Sequence, residues 1–142
     1  MRVENIRIQK YRSIDDVVIS FPANKPVVLF GPNNAGKSNI LSAIDRLLGK
    51  KYPTYIEMLE SDYFMRDKAT HPTASIAAQF SEAYYIDRRG VSYQTIVLTY
   101  GYNGDLTENL IHDGHGNRLY VTNEQRAACQ SYLIDAERTI QS

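Results

Sequence analysis

Gly31-Pro32-Asn33-Asn34-Ala35-Gly36-Lys37-Ser38 reads G-x-x-x-x-G-K-[ST], the pattern of a phosphate-binding loop. A loop that wraps a polyphosphate must turn its amides inward, and side chains would obstruct that path. Gly31 and Gly36 supply freedom for positive φ and for close backbone approach. Lys37 reaches the β- and γ-phosphates, which makes it the candidate catalytic residue, and the Ser38 hydroxyl is the candidate Mg²⁺ ligand. A helix beginning here adds its unpaired N–H groups and the positive end of its dipole. Both flanks fit. Val27-Val28-Leu29-Phe30 is a short apolar run, the signature of a fully buried strand. Downstream, Ile40, Leu41, Ile44, Leu47 and Leu48 fall on one face of a helix that Gly49 caps. The stretch is a nucleotide site.

The 142 residues make one domain of ordinary globular composition. No apolar run reaches the length of a membrane span, and no secretory leader pattern is present. Cys129 is the single cysteine, so no internal disulfide forms, in keeping with a reducing, cytoplasmic setting. Net charge is zero but unevenly placed: residues 1–51 carry nine Lys/Arg against four Asp/Glu, residues 52–142 seven against twelve. A basic N-terminal third suits polyphosphate, and a nucleic-acid backbone as a second candidate. Overall neutrality gives no support to a dedicated nucleic-acid-binding domain.

Two strands precede the loop. Ile6 and Ile8 alternate with Arg7 and Gln9, Asp15-Asp16 reads as a turn, and Val17 to Phe21 returns as an antiparallel partner. Ile6, Ile8, Tyr11, Arg12, Ser13 and Ile14 match the "I-x-I-x-N-[FY]-[RK]-S" hairpin of ABC-type ATPases. With the loop GPNNAGKSNIL, residues 1–49 resemble the SMC, RecF and OLD (overcoming lysogenization defect) families, and the loop is most similar to the OLD-like branch. The resemblance implies an α/β fold: a P-loop NTPase, the N-terminal lobe of an ABC-type ATPase head with mixed and antiparallel sheet. It also implies that Arg12 lies beside the nucleotide phosphates and that Asn33 faces the γ-phosphate and a partner subunit. Gly31, Asn33, Asn34, Ala35, Gly36, Lys37, Ser38, Asn39 and Arg12 are then the ATP-binding set, with Mg²⁺ on Ser38. For Asn33 and Asn34 a plain turn role stays open, since asparagine tolerates left-handed backbone.

Residues 50–72 read as a short helix over Tyr55–Leu59 and a loop over Ser61–Phe64, a region that the resemblance implies is variable. His71 has no second ligand at metal spacing, and His112 and His115 fall in a solvated turn around Asp113–Asn117. From residue 73 to 142 the chain is β-rich: Ser75–Phe80, Ser92–Tyr100, a turn at Asn103-Gly104-Asp105, Leu106–Ile111 and Arg118–Val121. The tyrosines here, Tyr84, Tyr85, Tyr93, Tyr100, Tyr102 and Tyr120, suit cross-strand packing better than base stacking. Asn123 caps a short helix over Glu124–Gln130. Ser131 to Arg138 is similar to the strand that closes the OLD-like lobe, and Asp135 and Glu137 make a Walker B reading the alternative.

No L-S-G-G-like signature occurs in the sequence, and Gln79 and Gln94 sit in strand patterns rather than a Q-loop. The expectation is an ATP- and ADP-binding lobe, acting in DNA repair or phage defence, whose hydrolytic parts come from the remainder of a longer ATPase or from a partner chain. The intact machine would be a head-to-head dimer with DNA as a candidate substrate. A non-hydrolysing assembly module is the alternative. A small P-loop kinase or GTPase is the third, although the guanine motif N-K-x-D is missing.

Overall fold

The structure, a computed structural model, describes residues 3–21, 35–85, 92–103, 106–115, 117–119 and 121. Among these, five strands and one α-helix form the framework: β1 (Val3–Tyr11), β2 (Ile14–Ser20), α1 (Ala35–Leu48), β3 (Thr73–Tyr85), β4 (Ser92–Asn103) and β5 (Leu106–His112). The sheet order is β2-β1-β3-β4-β5, and every neighbouring pair is antiparallel. The expected strand at 27–30, the helix at 124–130 and the segment 131–138, with Cys129, Asp135 and Glu137, lie outside the described residues.

Register explains the core. Val17, Ile8, Ile76, Leu98 and Ile111 form one row across all five strands, and Ile19, Ile6, Ala78 and Ile96 form the next. Alternation along each strand puts both rows on one face. There they join Ala43, Ile44, Leu47 and Leu48 of α1 in a single buried cluster. Helix and sheet each bury their apolar side against the other.

The β1–β2 hairpin forms as expected, but its turn is Arg12-Ser13 rather than Asp15-Asp16, which belong to β2. The aspartates are held in the strand by cross-strand charges. Arg7 grips Asp16 through two hydrogen bonds of 2.9 and 2.6 Å, and Lys10 pairs with Asp15. The Arg7 contact also holds the Asp16 carboxyl below its ordinary pKa.

The short helix expected over Tyr55–Leu59 is absent. Three 3₁₀ turns stand in this segment instead, at Pro53–Tyr55, Glu60–Asp62 and Phe64–Arg66. Side chains capture the carbonyls that a helix would need. Asn109 Nδ2 donates to the carbonyls of Thr54 and Ile56 at 3.3 Å each, and Arg46 Nη1 donates to that of Glu57 at 3.3 Å. Strand β3 outruns its apolar core, continuing to Tyr85 past a register irregularity between Gln79 and Tyr84. Asn103 pairs with Leu106, so β5 returns antiparallel on β4 as expected, while Gly104 and Asp105 of the expected turn lie outside the described residues.

Among the described residues of the expected strand Arg118–Val121, Arg118 bridges His112 and the Leu119 N–H donates to the Ile111 carbonyl at 2.9 Å. The preceding turn is built on Asp113, whose carboxylate accepts from the His115 and Asn117 amides and from the Asn117 side chain. Those bonds, the Asn117 side chain foremost, lower its pKa to about 2. His112 is not a solvated turn residue: it ends β5 half-buried, with Nε2 2.7 Å from Thr99 Oγ1.

Gly49 closes α1, its N–H donating to the Asp45 carbonyl at 2.7 Å. A Cβ at this position would run into that same carbonyl. Gly49→Ala should therefore destabilise the fold by about 1 kcal/mol or more, read as a lower urea midpoint at unchanged slope.

Candidate functional site

The site is assembled where the hairpin tip meets α1. Asn39, Ser42 and Arg46 occupy positions i, i+3 and i+7 of α1, one polar stripe on a helix that is otherwise apolar toward the sheet. Each finds a partner at the end of β1. Asn39 Nδ2 donates to Ser13 Oγ at 2.8 Å, and Asn39 Oδ1 accepts from Arg12 Nη1 at 3.1 Å. The hydroxyls of Ser42 and Tyr11 lie 2.8 Å apart, and Arg46 Nε donates to the Tyr11 hydroxyl at 2.8 Å.

Asp62, 2% exposed, sits at the centre of this arrangement. Its Oδ1 accepts from Arg12 Nε at 3.0 Å, and its Oδ2 accepts from Arg46 Nη2 at 2.8 Å and the Leu59 amide at 2.9 Å. Arg46 is itself buried, with its guanidinium 5.5 Å from the Tyr11 ring centre and 5.3 Å from that of Tyr100. Burial works to lower the Arg46 pKa, yet hydrogen bonds to Tyr100 and Tyr11 outweigh it and hold the value above its ordinary level. Burial likewise raises the Tyr100 phenol. Arg46 therefore stays charged and Tyr100 neutral.

Two guanidiniums thus share one carboxylate, and one positive charge is left over. It resides at Arg12, whose side chain keeps a third of its surface open and whose Nη2 has no partner among the described residues. The backbone here is strained: Lys10, Arg12, Met65 and Arg66 all hold φ between 55° and 57°, where glycine is favoured. Strain of ~1–3 kcal/mol per residue persists only when the surroundings over-determine it. At Arg12 they do, since its N–H donates to the Asp62 carbonyl at 2.9 Å and its carbonyl accepts from the Met65 amide at 3.0 Å. An open cavity of about 510 Å³ lies against Arg12, Ser13, Asn39, Ser61, Met65 and Arg66.

Of the residues expected to bind nucleotide, Gly31, Asn33 and Asn34 lie outside the described residues. Ala35 opens α1, and Gly36, Lys37, Ser38 and Asn39 form its first turns. Ser38 is exposed and Asn39 buried, 7% exposed. Gly36 does not carry the positive φ expected of it, because it is already helical. Its use is space: a Cβ added there would have nothing within 4 Å, leaving the backbone open to close approach. The N-terminal end of a helix, a glycine with open space beside it among the described residues, an exposed hydroxyl and an arginine that shares its carboxylate with a second arginine fit a Mg²⁺–polyphosphate. Among the described residues no group of three His, Cys, Asp or Glu could hold a metal by itself, so a cation here would depend on Ser38 together with the phosphates.

Asp62 and Arg46 were not legible as site residues in motif terms. The available signal was the polar i, i+3, i+7 stripe of Asn39, Ser42 and Arg46, which interrupts the apolar helix face. Gln79 and Gln94 do lie in β3 and β4, and bond to Asn5 and to the Phe80 carbonyl. Tyr100 is fully buried, in keeping with packing. The side chains of Tyr84, Tyr85, Tyr93, Tyr102 and Tyr120 lie outside the described residues.

A solved structure from work on "ATP-driven dimerization and DNA stimulated activation of SMC ATPases" superposes with a TM-score of 0.52 at 20% identity, covering 94% of this chain and 80% of that one. At that identity the likeness speaks for the fold alone, an α/β fold whose sheet is antiparallel among the described residues. No curated protein sequence matches the chain. Among the described residues, no helix is long and apolar enough to cross a membrane. The family model for the AAA ATPase domain matches residues 1–140, and the chain belongs to that family.

Proposed function

We propose that this chain is the nucleotide-binding lobe of an OLD/SMC/RecF-like ATPase, binding ATP with Mg²⁺ and acting on DNA in repair or phage defence. The observation that carries the reading is the coincidence of two features at one helix end. The sequence G-x-x-x-x-G-K-S runs into the first turns of α1, and Asn39 on the next turn holds Arg12, with its surplus charge, against that same end. Gly31, Asn33, Asn34, Ala35 and Gly36 present backbone to the phosphates, Lys37 reaches the β- and γ-phosphates, and Arg12 adds a second cation. Ser38 would hold Mg²⁺, which would supply charge neutralisation at the phosphates.

Hydrolysis requires a signature sequence that this chain lacks. The missing parts would come from the remainder of the ATPase, in the same or a partner polypeptide, in a head-to-head dimer. The protein in the solved structure named above is described in terms of ATP-driven dimerization and DNA stimulation. A cytoplasmic location follows from this role.

Mg²⁺–ATP and Mg²⁺–GTP titrated separately into the purified chain, with phosphate release followed in parallel, test the proposal. Saturable ATP binding with negligible turnover is expected. Robust turnover that disappears in Lys37→Ala would show a complete enzyme instead, and guanine-selective binding would favour the GTPase alternative.

A further inference from the structure

We infer that Asp62 is the positioning residue of Arg12, and that Arg46 serves as its counter-cation so that Asp62 orients Arg12 without neutralising the site. The inference rests on Arg12 being a phosphate contact, as proposed above. An arginine reaches an anion through a long side chain whose freedom must be surrendered on binding. At Arg12 that freedom is already gone. Asp62 holds Nε at 3.0 Å, Asn39 holds Nη1 at 3.1 Å, and the guanidinium lies 5.2 Å from the Tyr11 ring centre. The same Asp62 accepts the Arg12 backbone N–H through its own carbonyl, so it fixes both ends of the residue. Only Nη2 is left to offer.

A lone carboxylate beside a phosphate site would repel the ligand and cancel the arginine. Arg46 removes that objection. Its Nη2 takes Asp62 Oδ2, and it is in turn fixed by the Tyr11 hydroxyl, the Glu57 carbonyl and the Tyr100 ring. None of those partners faces the cavity lined by Arg12, Ser13 and Asn39. A mere staple for the hairpin tip would need one arginine; the second makes the cluster net positive toward the ligand.

The test is a double-mutant cycle on Mg²⁺–ATP affinity in the full chain, with folding followed by circular dichroism. Asp62→Asn and Arg12→Ala are each expected to weaken ATP by about tenfold, and the double variant by about tenfold as well, not a hundredfold. Multiplicative losses, or tighter binding in Asp62→Asn, would overturn the inference. Should Asp62→Asn not fold, the apolar pair Asp62→Leu with Arg46→Met keeps the core filled and must show the same coupling. The apo wild type supplies a reading that needs no variant: the Arg12 Nε–H resonance should be resolved and slow to exchange, and an averaged signal would contradict preordering. If Lys37→Ala abolishes binding while Arg12→Ala leaves it intact, the phosphate role of Arg12 falls and this inference with it. If the wild type binds no ATP, the nucleotide reading itself falls.

Discussion

Lys37→Ala should lower Mg²⁺–ATP affinity by about a hundredfold while leaving the melting temperature of the ligand-free chain within a degree or two. The asymmetry follows from where the residue stands. Lys37 lies in the first turn of α1, ahead of the helical positions that enter the core, which begin at Asn39 and continue through Ala43, Ile44, Leu47 and Leu48. The described α1 residues of the helix–sheet cluster are Ile40, Ala43, Ile44, Leu47 and Leu48, so Lys37→Ala is expected to leave it closed. In the proposed complex, by contrast, its ammonium makes charge-assisted hydrogen bonds to two phosphates, each contributing about 1.5–3 kcal/mol. One such bond corresponds to roughly tenfold or more in affinity, so two give about a hundredfold or beyond. Calorimetric titration and a thermal melt on the same samples check both halves. A comparable fall in melting temperature would mean that Lys37 supports the fold rather than the ligand.

Asp62→Ala should do the reverse and damage the fold first. The substitution leaves Arg46 buried with its charge uncompensated, the Leu59 amide without its acceptor and the Arg12 guanidinium without its carboxylate. Breaking a buried pair from one side is destabilising by about 3–5 kcal/mol. Domains of this size are held by only about 5–15 kcal/mol, so a large share of the total is at stake. The melting temperature should drop by roughly 10 °C or more. Replacing both charges together, Asp62→Leu with Arg46→Met, should recover much of that loss, because no buried ion is left unpaired and Arg12, which loses its carboxylate, is partly open to water. Equal destabilisation by the single and the double change would show that packing volume, not charge, sets the cost.

The difference between these two variants shows which part of the molecule could be read in advance. The helix was legible because its signal is local: apolar residues at helical period from Ile40 to Leu48. The sheet was legible in outline for the same reason, through alternation in Ile6 and Ile8 and the β-branched run before Tyr100. What escaped was non-local. Asp15-Asp16 has the composition of a turn and became strand because Arg7 and Lys10 pull on it from β1. Tyr55–Leu59 has helical spacing and stayed irregular because Asn109, more than fifty residues away, claims its carbonyls. Asp62 sat in a stretch that read as loop, and nothing nearby in sequence indicates that two arginines from different elements converge on it. Arg12 was expected at the phosphates from its hairpin signature alone. The polar clamp that fixes it needed three segments brought together.

In the proposed complex the triphosphate lies at the start of α1 under Arg12. A crystal structure of the chain with Mg²⁺ and a non-hydrolysable ATP analogue tests this most directly. It should show the phosphates against the amides of Gly31 to Lys37, Mg²⁺ on Ser38 and Arg12 Nη2 within hydrogen-bond distance of a phosphate oxygen, with the Asp62 contact retained. Nucleotide bound elsewhere, or Arg12 turned away from the phosphates, would contradict it.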